Sequence, residues 1–287
     1  MRAYVAHRVT IDESPRVSDV TVDQQLYSRA ALPLTVWWEN YTVHLVSLEL
    51  ADIIEGDGSR YAFSRWSDGV STNPRNFTVT SPLNLVAVYK KQFYLDVRST
   101  YGDPEGEGWY DANESAMCSV PSSVDYGNGT RRIFVSWTGD LMDSKSTAHI
   151  VMDSAKKVET TWRTQFLVNM TSSYGEASGG GWYAPGTSAT VSITPVLLQK
   201  DFLTNYVFEG WVVAGTIVST SASYSFAVIG PTSLTAGWKT ELNLLTVGAV
   251  TGGVILLILA VAFFALRRSR YSLKPGVSPS PTRDTST

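Results

Sequence analysis

Three histidines (His7, His44, His149) and one cysteine, Cys118, are the side chains of this 287-residue chain best suited to catalysis or metal binding. Their spacing offers neither. The histidines lie far apart, no HExxH or CxxC occurs, and there is no G-x-S-x-G or P-loop. Asp103, Glu105 and Glu107 in GDPEGEG gather three carboxylates, the kind of oxygen donors that calcium takes. The related stretch GEASGGG keeps the glycines and only one acid, Glu176. What the two share is a backbone requirement, so a hairpin with exposed acids is the reading. Trp66, Trp109, Trp137, Trp182 and Trp211 have the chemistry to stack sugars, but their fixed places in a repeat predict core packing. Cys118 falls where the later repeat has Val191 and reads as a small buried hydrophobe. No catalytic, cofactor-binding or metal-binding residue is assigned, and no cofactor.

Two modification or contact patterns remain. Asn40, Asn76, Asn113, Asn128 and Asn169 each begin an Asn-x-Ser/Thr sequon, the acceptor for N-glycosylation in an exported chain. Gly248 and Gly252 make a small-xxx-small step that would let two apolar helices approach closely and pair as a homodimer.

The elements that must carry these residues begin with residues 242–266, LNLLTVGAVTGGVILLILAVAFFAL, 25 residues without a charge. At 1.5 Å per residue such a helix is roughly 37 Å long, enough to cross a hydrocarbon core of about 30 Å. Arg267, Arg268, Arg270 and Lys274 follow it and only Lys239 lies close before it. The positive-inside bias therefore predicts a cell-membrane protein with the C-terminus in the cytoplasm, residues before 242 outside, and 267–287 as a disordered basic tail. Of the 23 basic and 26 acidic residues, 18 and 25 precede residue 267, a net of −7. An acidic outer part excludes nucleic acid bound through its phosphates.

Before the span, the chain repeats. FYLDVRSTYGDPEGEGWYDANESAMCSV from Phe93 matches FLVNMTSSYGEASGGGWYAPGTSATVSI from Phe166 at a constant shift of 73, through Tyr101/Tyr174, Gly106/Gly179, Trp109/Trp182 and Tyr110/Tyr183. Phe-x-x-Trp recurs at Phe63–Trp66, Phe134–Trp137 and Phe208–Trp211. An aromatic followed four residues later by another apolar residue recurs at Trp37/Tyr41, Tyr89/Phe93, Trp162/Phe166 and Trp238/Leu242. Alternation at Phe93, Leu95 and Val97 has the period of half-buried strands. The fold class predicted is all-β, β-grasp-like or a small β-sandwich, in tandem repeats followed by one transmembrane α-helix. The boundaries are 1–36 as the end of a preceding repeat, 37–88 as a shortened first unit lacking the Gly-Trp-Tyr hairpin, 89–161 and 162–241 as the second and third, then 242–266 and the tail. Asn113 and Gly186 share a position, and both tolerate a left-handed turn.

The Phe-x-x-Trp strand with its closing apolar strand (YAFSRWSDG…LNLVAVY and YVFEGWVV…TSLTAGW) resembles the divergent internalin-type B repeats of microbial surface proteins. The Tyr-Gly-x-x-x-Gly-x-Gly-Trp-Tyr hairpin is similar to repeats near the C-terminal anchors of large archaeal surface proteins. The resemblance covers roughly 34–241 and implies a compact β-grasp-like module used as a spacer or in adhesion. The expectation is a non-enzymatic stalk or adhesion module whose partners are the lipid bilayer and a cell-envelope glycan or surface-layer protein. The alternative is the anchor of a surface hydrolase whose catalytic domain lies upstream. MRAYVAHRVTIDESPRVSD holds no signal-peptide apolar run, so the start is expected to be truncated or misplaced.

Overall fold

In a computed structural model of the chain, residues 4–271 are described, with side chains to 268. Met1–Ala3 and the tail from residue 272, Lys274 and Arg283 included, lie outside them. The described chain is all-β with one C-terminal α-helix, as its residues predict.

The strands run in chain order. The first group is β1 (Ala6–Ser14), β2 (Val20–Val22), β3 (Gln25–Tyr27), β4 (Leu34–Glu39), β5 (Val43–Leu48), β6 (Asp52–Ile54), β7 (Ser59–Trp66), β8 (Arg75–Thr78) and β9 (Leu83–Arg98). The second is β10 (Gly108–Asp111), β11 (Ser115–Ser119), β12 (Ser123–Asp125), β13 (Thr130–Gly139), β14 (Thr147–Val151) and β15 (Lys156–Ser172). The third is β16 (Glu176–Ser178), β17 (Gly181–Tyr183), β18 (Ser188–Thr194), β19 (Leu197–Gln199), β20 (Thr204–Val213), β21 (Thr216–Ser219), β22 (Ser223–Ala227) and β23 (Thr232–Leu242), ahead of α1 (Leu244–Tyr271). Two compact units divide the chain, 1–165 and 166–287. The first holds two hydrophobic cores and the second one.

One pairing scheme builds all three cores. An opening strand lies parallel to a closing strand: Val9 opposite Leu83, Leu95 opposite Lys156, Val168 opposite Thr232. A hairpin strand lies antiparallel on the opening one, pairing Val9 with Val36, Leu95 with Gly108 and Val168 with Gly181. The strand bearing Phe-x-x-Trp flanks the closing strand, and a separate pair (β5 with β8, β11 with β14, β18 with β22) forms the opposing layer. Each core takes side chains from both layers. No helix packs on these sheets among the described residues, so each is a small sandwich rather than a β-grasp.

Strand periodicity explains how one segment serves two cores. β9 is 16 residues, about 53 Å at 3.3 Å per residue. Its odd positions share a face, so Leu85, Ala87 and Tyr89 enter the first core while Leu95 and Val97 enter the second. Phe-x-x-Trp needs a different device, because residues three apart on a regular strand face opposite ways. The register shifts between Phe63 and Arg65, and between Phe208 and Gly210, as a β-bulge does. Both rings of each pair thereby turn inward, with centroids 5.6 Å apart at Phe63–Trp66 and at Phe208–Trp211. Trp66, Trp137 and Trp211 are fully buried. Trp109 and Trp182 are only half-buried and belong to none of the three cores. Core packing does not account for them, since Tyr110 and Tyr183 beside them take the inward positions of their hairpin strands.

The first core differs from its sequence reading. Residues before 37 supply Val9, Ile11, Val20, Val22 and Leu32 to the same core as Trp66. Register then sets Trp37 and Trp38 beside the positions of Trp109–Tyr110 and Trp182–Tyr183. The left-handed residue three after the inner aromatic is Tyr41 (φ 67°), Asn113 (φ 66°) and Gly186 (φ 77°). In each, its N–H donates to the residue after the β8, β14 or β22 strand: Val79, Met152 and Val228.

Candidate functional site

The histidines stay apart. His7, half-buried on β1, has its Nε2 buried without a partner. His149 is exposed on β14. His44 alone sits in a cluster. Its Nδ1 is 2.5 Å from Asp23 Oδ2, its Nε2 2.7 Å from Thr42 Oγ1, and its ring stacks on Trp38 at 3.7 Å. Desolvation opposes the charge of Asp23, but the His44 ring and the Leu45 N–H outweigh it and hold the carboxyl below its usual range. Both ring nitrogens are engaged, so the cluster ties the β2–β3 turn to β5. Among the described residues, no group of three or more His, Cys, Asp or Glu side chains is placed to hold a metal ion.

Of the hairpin acids, Glu107 accepts the Tyr94 hydroxyl at 2.6 Å and Glu105 accepts the Ser119 hydroxyl at 3.0 Å. The main chains of Glu105 and Ser119 exchange hydrogen bonds of 2.9 and 3.1 Å. The glycines do the shaping. A Cβ on Gly106 would sit 2.1 Å from the Met117 carbonyl, and one on Gly179 2.0 Å from that of Thr190. The glycines' own carbonyls accept the Tyr110 and Tyr183 hydroxyls, Gly106 at 2.8 Å and Gly179 at 2.7 Å. Beside this hairpin, Gly102, Asp103, Pro121 and Val124 help line an open groove of about 580 Å³. Cys118 is buried, and burial pushes its thiol pKa up, away from reactivity.

The sequons spread over all three cores. Asn76 on β8, Asn113 in its left-handed turn, Asn128 in the β12–β13 turn and Asn169 on β15 are exposed. Asn40 is half-buried, with Oδ1 enclosed and unpartnered.

α1 follows the third core with no linker. Leu242 pairs with Thr204 and ends β23, and Asn243 caps the helix, its Oδ1 accepting the Thr246 N–H at 3.3 Å. The helix therefore begins at Leu244, two residues later than the apolar run. Leu244–Arg268 is long and apolar enough to cross a membrane, and that window is not buried. A soluble core helix would be covered. A Cβ on Gly248 or Gly252 would meet nothing within 4 Å, and Thr251 turns its hydroxyl back onto Val247 and Gly248 carbonyls.

A group the sequence reading missed lies where β7 meets β9 and β10. Arg60 Nε donates to Gln92 Oε1 at 2.7 Å, Gln92 Nε2 to Asp111 Oδ1 at 2.8 Å, and the Arg60 guanidinium lies 4.6 Å over the Trp109 ring. Its signal was legible as a spacing, since Arg60 and Arg131 each precede the Phe of Phe-x-x-Trp by three, and Gln92 and Gln165 each precede an opening Phe.

The third core carries a recognisable signature. Residues 167–242 match the family model of the divergent InlB B-repeat domain. No curated protein matches the chain. Solved structures to which the chain is similar include crystal structures of the major pilin from Streptococcus pyogenes: a mutant form at 11% identity and TM-score 0.13, and the unmodified pilin at 10% and 0.13. Each comparison covers 83% of this chain and 98% of the pilin. The family match and the apolar helix together give a β-repeat module followed by a helix apolar enough to span a membrane.

Proposed function

We propose that the chain is a single-pass membrane anchor and spacer of the cell surface, with its β-units outside and its C-terminus in the cytoplasm. The units set distance, α1 holds the bilayer, and Arg267 and Arg268 at its end favour the cytoplasmic side. The observation that carries this reading is the direct passage from β23 through Asn243 into an unburied apolar helix. A structured module joined so tightly to a span is held against the membrane rather than swung from a tether. We further propose three units, each with its own core, as the repeating element, and no catalytic role for any of them.

Ending the chain after Asn243 tests the anchor. The full chain is expected in the membrane pellet after carbonate washing, and the shortened chain in the soluble fraction. Equal retention of both in the pellet would contradict the anchoring role of α1.

A further inference from the structure

Trp109 is covered by the core before its own, and Trp37 is not. Over Trp109, the Arg60 guanidinium lies 4.6 Å from the ring centroid and Tyr94 packs edge-on at 5.2 Å. The main chain seals the joint, with Ser59 opposite Phe93 and Arg60 opposite Gln92. The same side-chain pair recurs at Arg131 and Gln165, Nε donating to Oε1 at 2.8 Å.

Register transfers this geometry to the other end of the chain. Arg8 faces Trp37 as Tyr94 faces Trp109, and Ala6 faces Glu39 as Gln92 faces Asp111. The receiving half keeps an indole, a carboxylate two residues on and an opening strand, with Ala6 where Gln92 stands. The covering half is missing. Trp37 is 68% exposed, and Tyr4 and Val5, which lead into β1, are exposed too. Glu39 has no side-chain partner among the described residues. Among the described residues Ala6, His7 and Arg8 are paired on the β4 side alone, although β9 has β7 on its other side at the matching residues 92 and 93.

We propose that this face of β1 and β4 is the seat for a further β-unit of the same kind, whose arginine-bearing strand pairs with residues 6–8 and lays its guanidinium over Trp37. A third unit is the wrong occupant, because it carries Asn205 where Arg60 and Arg131 stand and brings no cation to Trp37. A flat indole, an acid and an open edge together select a cationic strand, through cation–π contact, charge and main-chain hydrogen bonds at once. The inference rests on the repeat geometry and stands apart from the membrane topology.

Tryptophan oxidation by limited N-bromosuccinimide, read residue by residue by mass spectrometry, tests it. In the full chain Trp37 is expected to oxidise several-fold faster than Trp109, and Arg60→Ala to bring Trp109 up towards Trp37. No change at Trp109 would remove the guanidinium as the cover. Residues 6–91 are then duplicated directly before Ala6, the added copy carrying Trp37→Phe so that the remaining Trp37 belongs to the receiving unit. Trp37 should fall to the reactivity of Trp109, and Arg60→Ala in the added copy should restore it. Unchanged Trp37 reactivity would overturn the proposal. So would oxidation at Trp66 beyond that of the parent chain, which would show that the seat does not support such a unit.

Discussion

At the residue scale, small differences between equivalent side chains separate packing from polar satisfaction. Trp137 Nε1 donates to the Lys145 carbonyl at 3.0 Å, and Trp66 Nε1 to that of Thr72 at 3.1 Å, whereas Trp211 Nε1 is buried without a partner. An unmade buried hydrogen bond costs roughly 1–3 kcal/mol. Trp137→Phe is therefore expected to destabilise more than Trp211→Phe, by about 1 kcal/mol in denaturant unfolding. Equal losses would mean that ring volume alone matters. Glu13, 3% exposed, poses a pH question. Burial raises its pKa, against the N–H groups of Ser18 and Val17 that bond Oε2 at 2.9 and 3.0 Å, and Oε1 has no partner. The folded state therefore holds the proton to higher pH than the unfolded one. Its contribution is full below the unfolded carboxyl pKa, about 4.3, and fades as pH rises through the folded value. Glu13→Gln should flatten stability against pH across that window and stabilise by about 1 kcal/mol at pH 7. A slope unchanged by the substitution would show that another group titrates there.

At the element scale, the hairpin glycines and the start of each core decide the fold. Gly106→Ala and Gly179→Ala each force a Cβ into a carbonyl at positive φ (101° and 99°), and each should cost about 3 kcal/mol in unfolding free energy. Gly56, with open space around it, should tolerate alanine. The same elements show what the sequence could reveal. Phe-x-x-Trp was legible because its spacing of three survives a bulge, and Asn113/Gly186 because only a few residue types accept a left-handed turn cheaply. The first core was harder. Its hairpin strand reads Val36-Trp37-Trp38 instead of Gly-Trp-Tyr, and its left-handed residue is a tyrosine, Tyr41. Between β1 and β4 the chain inserts β2 and β3, which stretches the spacing beyond recognition. The aromatic at Trp37 therefore aligned with closing aromatics such as Tyr89, although it occupies the hairpin. The outward place of Trp109 was also hidden, because a half-buried aromatic under an arginine leaves the same trace in sequence as a core residue.

At the scale of the whole molecule, three like cores run into one apolar helix without a linker, and the central claim is the side of the membrane on which they stand. Met142 is 86% exposed, and Cys118, the one native thiol, is buried, which raises its pKa and shields it from the reagent. A cysteine in place of Met142 and, separately, one in place of Ser278 therefore report on the two sides. The measurement is labelling of intact cells with a membrane-impermeant maleimide. The account predicts that Met142→Cys labels in intact cells and Ser278→Cys labels only after permeabilisation. Labelling of Ser278→Cys in intact cells, with Met142→Cys protected, would contradict it.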